Sequence, residues 1–137
     1  MADVFASVSS DPIDVAALEA FVDSAEHGAV VTFRGVVRNH DHGASVSGLD
    51  YQAHPDAVRF LEQCCRTVSD ETGLPIAATH RIGALAVGDT ALVATAAAPH
   101  RAEAFAACER VVELIKAQVP IWKRQHLDEG VSEWVGL

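Results

Sequence analysis

The sequence predicts an α+β fold of three helices and a mixed, mainly antiparallel sheet. Two observations predict the class. Three stretches carry apolar residues at intervals of three and four, the spacing of one helix face, and the stretches between them are rich in Val, Ala, Leu and Thr punctuated by glycines. The strand-like stretches follow one another in hairpins as well as alternating with helices, which favours α+β over a doubly wound sheet. At 137 residues the chain reads as one domain, residues 1–137, large enough to bury a core.

The elements follow in order. Val4, Ala6 and Val8 alternate as in a short strand. "DPID" predicts a helix start, with Asp11 as N-cap, Pro12 at the first helical position and Asp14 in the first turn. Ala17, Leu18, Phe21, Val22 and Ala25 form its apolar face. "AVVTFRGVV" reads as a strand mostly buried at its start, "RNHDHGASVSG" as a turn or mobile loop, and Leu49, Tyr51 and Ala53 mark the next strand. Pro55 opens a second helix with Ala57, Leu61, Cys64, Cys65 and Val68 on one side, stopped by Gly73-Leu74-Pro75. "IAATHRIGALAVGDTALVATAAA" reads as two strands joined through Gly83 and a Gly88-Asp89 turn. The third helix is "PHRAEAFAACERVVELIKAQV", with Phe105, Cys108, Val112, Ile115 and Val119 inward and Pro120 as its stop. "WKRQHLDEG" then reads as a loop and "SEWVGL" as a terminal strand.

Composition excludes several classes. Half the residues are hydrophobic and 21% are charged, so the chain is globular rather than disordered. The formal net charge of −9 argues against nucleic-acid binding, which rests on a basic surface, but leaves room for a local basic pocket. No apolar run matches a membrane span, and "MADVFASVSSDP" lacks the basic and apolar regions of a secretory signal. The expectation is a soluble protein of the cytoplasm. Cys64, Cys65 and Cys108 form neither a disulfide framework nor a CxxC pair, and read as small core residues.

Lys116 and Lys123 are the only lysines; the other eight of the ten Lys+Arg are arginines. An ammonium differs from a guanidinium in that burial lowers its pKa enough for proton transfer near neutrality. A plain helix-end charge would also account for Lys116. His100 and Arg101 open the third helix after Pro99, where free backbone N–H groups favour an anion; a solvated helix start is the alternative. Both ends of that helix cannot line one small pocket in a single chain, so either two sites exist or a second protomer joins them. Arg38 ends a strand before a glycine-containing loop, a placement that suits a phosphate or carboxylate as well as solvent. His40 and His42 lack a further ligand cluster, so no metal is assigned. These residues leave two readings open. One is a basic pocket for an anionic small molecule with lysine acid/base chemistry. The other is a noncatalytic domain that binds an anionic ligand or serves assembly.

Four blocks in order, "GAVVTFRGVVRNHDHG", "HRIGALAVGD", "PHRAEAFAACERVVELIKAQVPIWKR" and "EWV", resemble the catalytic (large) subunit of molybdopterin synthase. The resemblance implies a hammerhead-type fold and a homodimer. Each protomer would bind a small ubiquitin-like sulfur carrier ending in a Gly-Gly thiocarboxylate, giving a heterotetramer. The implied reaction converts cyclic pyranopterin monophosphate to molybdopterin by inserting two sulfurs, with no metal or cofactor at this step. The family's active-site lysines fall on Lys116 and Lys123, its substrate-binding groups on Arg38, His100 and Arg101, and a pocket aromatic on Phe33. Gln125 stands where family members commonly carry glutamate. Ile121 and Trp122, beside Lys123 and Arg124, are expected to form a docking patch for the carrier.

Overall fold

The computed structural model describes residues 2–137. Helix α1 spans Val15–Val22. Its N-cap is Asp14 rather than Asp11: the Asp14 carboxylate accepts the Ala17 N–H at 3.1 Å, taking one of the free donors of the first turn. Asp11 lies earlier, in a turn where its own N–H donates to Ser9 Oγ at 3.0 Å.

Helix α2 spans Ala57–Thr72 and stops at Gly73, whose φ of 73° is the left-handed region that a glycine adopts without strain. Helix α3 spans Arg101–Gln118. Ala104, Ala107, Cys108, Val111, Val112 and Ile115 make its buried stripe. Phe105, expected inward, is 61% exposed because it lies one step round the helix from Ala104, off the centre of that stripe.

One sheet has the order β1 (Val4–Ser9), β5 (Ile76–Arg81), β7 (Thr90–Ala98), β2 (Ala29–Val36). β1 and β5 are parallel and the other neighbours antiparallel. Along β7 the side chains alternate. Leu92, Ala94, Ala96 and Ala98 join the core under α2 and α3, whereas Val93 and Ala97 meet Leu18 and Val22 of α1 on the opposite face. The small alanines let α3 lie close to the sheet. β2 is an edge strand, so Val30 is 41% exposed and the expected burial of its start is only partial.

The second sheet is built on β4 (Ala44–Ala53), which pairs antiparallel with β3 (His40–Asp41), β6 (Gly83–Ala86) and β8 (Ile121–Leu127). β9 (Gly130–Val131) and β10 (Val135–Gly136) pair with β8. Three readings from sequence are corrected here. The stretch expected as a turn or mobile loop after β2 does turn, at His42 and Gly43, both at positive φ, but the residues on either side pair as a β3–β4 hairpin. "IAATHRIGALAVGDTALVATAAA" holds three strands, because at Gly83 the chain leaves the first sheet to start β6 in the second. "WKRQHLDEG" is mostly β8, whose charges hid a two-residue alternation between faces. Among the described residues no helix is long and apolar enough to cross a membrane.

Candidate active site

β8 brings the two lysines together. Pro120 has no N–H and ends α3 just after Lys116, and the chain turns directly into Ile121–Leu127. Ile121, Lys123 and Gln125 share one face of β8; Trp122, Arg124 and His126 share the other. Opposite them on β4, Tyr51 is registered with Lys123 and Asp50 with Arg124. Ile121 is 1% exposed and belongs to the core, so the expected docking patch keeps Trp122, at 39%, but not Ile121.

Arg38 arrives from the end of β2. The backbone of Val37 is held in both directions by the β6–β7 turn: its N–H donates to the Asp89 carbonyl at 3.0 Å and its C=O accepts from Gly88 at 2.9 Å. That clamp fixes where Arg38 leaves the sheet. Its guanidinium lies 3.5 Å from Asp41 Oδ1.

Arg38, Lys116, Lys123 and Gln125 line one cavity of about 200 Å³. Tyr51, His40 and His80 line it too, over a base that includes Val37, Leu49 and Leu92. Burial holds the Lys116 ammonium below the ordinary lysine pKa; the charges of Lys123 and Arg38 act in the same sense, and Glu113 opposes them. Asp41 is held below the usual carboxylate range, first by the hydrogen bond from Gln125 and then by His42, Lys123 and Arg38 against a burial effect. Burial raises the Tyr51 phenol. The cavity thus offers an anion three basic groups, Arg38, Lys116 and Lys123, and one of them, the Lys116 amine, has a lowered pKa.

The remaining residues expected at the site lie elsewhere in the single chain. His100 lines a separate groove with Leu74, Pro99 and Glu103 at the far end of α3, and Arg101 is the next residue. Phe33 lines another groove, with Phe105, Cys108 and Val112. The three thiols are buried, and burial pushes Cys65 up to about 12 and Cys108 to about 11. They are poor nucleophiles, as expected for core residues. Among the described residues there is no cluster of three or more His, Cys, Asp or Glu able to hold a metal. Reading the sequence missed His80 and Tyr51. The available signal for His80 was a histidine closing the apolar run "IAATH", all of it buried.

Fold and cavity together define a small α+β protein with a cation-lined cavity beside a lysine of lowered pKa. The sequence pattern of the MoaE protein family matches residues 8–118. Molybdopterin synthase catalytic subunit 1 of Mycobacterium tuberculosis is 41% identical over 134 residues, covering 96% of this chain and 90% of that relative. The crystal structure of molybdopterin synthase from Staphylococcus aureus superposes with a TM-score of 0.88 at 33% identity, over 95% of this chain and 96% of that one. A chain in a protein–protein complex of subunits 1 and 2 of molybdopterin-converting factor from Helicobacter pylori shares the fold, with a TM-score of 0.71 at 18% identity, over 97% of this chain and 88% of that one. The chain belongs to the MoaE family of molybdopterin synthase catalytic subunits. Its function is therefore enzymatic, sulfur transfer in molybdenum cofactor biosynthesis.

Proposed function

We propose that this chain converts cyclic pyranopterin monophosphate to molybdopterin in the cytoplasm, using two sulfurs delivered by a small carrier with a C-terminal Gly-Gly thiocarboxylate. The observation that carries this reading is the convergence of the only two lysines with Arg38 on one cavity. Arg38 binds the phosphate or the pterin. Lys116, whose pKa is depressed, exchanges a proton during sulfur attack. Lys123, on the adjacent strand, stabilises the negative charge that develops or orients the thiocarboxylate.

The cavity's 200 Å³ is below the roughly 300–1,000 Å³ of sites for ligands of drug size, so other groups must hold the rest of the substrate. We assign that part to His100, Arg101 and Phe33 of a second protomer in a homodimer, with one carrier per protomer in a heterotetramer. The two-subunit complex known for the Helicobacter pylori fold relative is in keeping with a small partner. A reconstituted assay tests the reading: purified chain, thiocarboxylated carrier and cyclic pyranopterin, with dithiolene product measured. Product is the expected result. Ligand binding without turnover would instead favour a noncatalytic binding or assembly role.

A further inference from the structure

His80 closes the buried run of β5, is 2% exposed, and lines the lysine cavity. Its ring is fixed at two points. Nδ1 lies 2.7 Å from the Arg81 carbonyl oxygen, and the Tyr51 ring stands edge-on to it with centroids 4.9 Å apart and planes at 70°. A carbonyl oxygen only accepts, so Nδ1 carries the ring proton and Nε2 is left as a lone pair. Burial holds the ring's pKa at about 4; the Arg81 carbonyl opposes this and the Lys116 charge adds to it. Around the same cavity stand Arg38, Lys116 and Lys123, all donors, with His40 and Tyr51 as the other titratable groups. No described residue gives Nε2 a hydrogen bond. A pocket built to donate to an anion therefore also holds a rigid, uncharged acceptor.

We propose that His80 Nε2 accepts a hydrogen bond from an N–H or O–H group of the bound substrate, and so fixes the substrate's orientation beside Lys116. The identity of that substrate rests on the sulfur-transfer reading above; a reduced pterin, with its ring N–H groups, supplies such donors. A ligand that presents an acceptor at this point meets a lone pair and is rejected, because an unmet buried polar group is costly. His80 is thus a binding and specificity residue rather than a proton-transfer group.

The test is nitrogen NMR on protein labelled with ¹⁵N-histidine and ¹⁵N-lysine, the His80 signals being those lost in His80→Gln. In the free protein, Nε2 is expected to stay unprotonated between about pH 5.5 and 8. Cyclic pyranopterin monophosphate should move both the Nε2 signal and the lysine signals, whereas sulfate, which has no donor, should move only the lysines. His80→Leu should weaken pyranopterin binding about tenfold, and His80→Gln, which keeps an acceptor, should recover most of it. A proton found on Nε2 overturns the proposal. So does a still Nε2 signal while the lysines move with pyranopterin. If neither His80 nor the lysines respond to pyranopterin, the sulfur-transfer reading falls with it.

Discussion

Gln125 Nε2 donates to Asp41 Oδ2 at 3.0 Å, and the other oxygen of that carboxylate lies 3.5 Å from the Arg38 guanidinium. Gln125 thereby ties β8 to the β3–β4 hairpin at the cavity rim, as a donor. An ionised glutamate could not donate, and two carboxylates at that distance cannot both ionise freely. Gln125→Glu is therefore expected to lower stability near neutral pH. The deficit should shrink as the pH falls, because the paired carboxyls take up a proton in the native state above the pH at which unfolded carboxyls do. Thermal unfolding from about pH 5 to 8 reads this. A melting-temperature difference that does not change with pH would show that the pair is not coupled.

Lys116 costs the fold something. Its native pKa is depressed, so below that value the unfolded chain holds the same proton more favourably. That penalty disappears as pH rises from the native value to the ordinary lysine value, where the unfolded state alone still binds the proton. Lys116→Met is expected to raise the melting temperature at pH 7 while cutting turnover on the order of 100-fold, the scale of a lost acid/base group. Near-normal turnover would remove Lys116 from the mechanism.

Lys123 is one of the causes of that depressed pKa. Lys123→Met should move the Lys116 pKa back up toward the ordinary value. With only two lysines in the chain, ¹⁵N-lysine NMR resolves the titration directly. No movement of the Lys116 midpoint would remove Lys123 from its causes, leaving burial and the remaining charges.

The helices and the residues punctuating them were legible because their signals are local. Gly73 and Pro120 stop helices by their own backbone chemistry, wherever the rest of the chain lies. The pairing of Lys116 with Lys123 was legible for the same reason, being a turn of the chain around Pro120. The choice of Asp14 over Asp11 as cap was not, because two acidic residues three apart offered the same chemistry, and it is the Asp14 carboxylate that meets the Ala17 N–H. β8 was missed because its faces differ in surroundings rather than in polarity: Lys123 and Gln125 meet a cavity, and Arg124 and His126 meet Asp50. His80 and Tyr51 enter the cavity through strand register across two sheets, which no local pattern encodes.

Buried neutral His80 makes the fold sensitive to acid. Its native pKa of about 4 lies below the ordinary 6.5, so between those values the unfolded state binds more protons and stability falls as pH falls. The shift corresponds to about 3 kcal/mol lost over that window. His80→Gln should flatten the pH dependence of urea midpoints between about pH 6.5 and 4. An unchanged slope would place the acid sensitivity elsewhere.

His100-Arg101 and Lys116 stand at opposite ends of α3, whose 18 residues span about 27 Å. If a second protomer completes the site, Lys116→Ala and Arg101→Ala chains should each be inactive alone. Mixed and re-equilibrated in equal amounts, they should recover about a quarter of wild-type turnover, the statistical share of sites with both residues intact in a two-fold dimer. Sedimentation at low micromolar concentration should show the dimer without carrier. A clean monomer of 14.5 kDa, or no recovery on mixing, would return the site to one chain.

On the face of β8 away from the cavity, the Arg124 guanidinium lies 4.7 Å over the Trp134 ring and 3.4 Å from Asp50, which also accepts from His126 at 2.9 Å. These contacts hold the segment leading into β10 against β8. Arg124 is therefore committed to the shape of this face, while Lys123, one residue earlier, faces the cavity. Carrier docking and sulfur transfer should separate accordingly. Arg124→Ala is expected to weaken carrier binding, read by calorimetry, with the single-turnover rate at saturating carrier nearly unchanged. Enlarging the carrier's terminal Gly-Gly should do the reverse: on the proposed reaction the tail must enter the cavity of about 200 Å³ that both lysines line, where glycine passes more easily than a larger residue, so product is lost while much of the binding remains. On the proposed reaction the tail would add reacting atoms more than contact area, and affinity should come from the apolar and basic surface around Trp122 and Trp134. A carrier that no longer binds once its two glycines are removed would make the tail the main anchor and overturn this division.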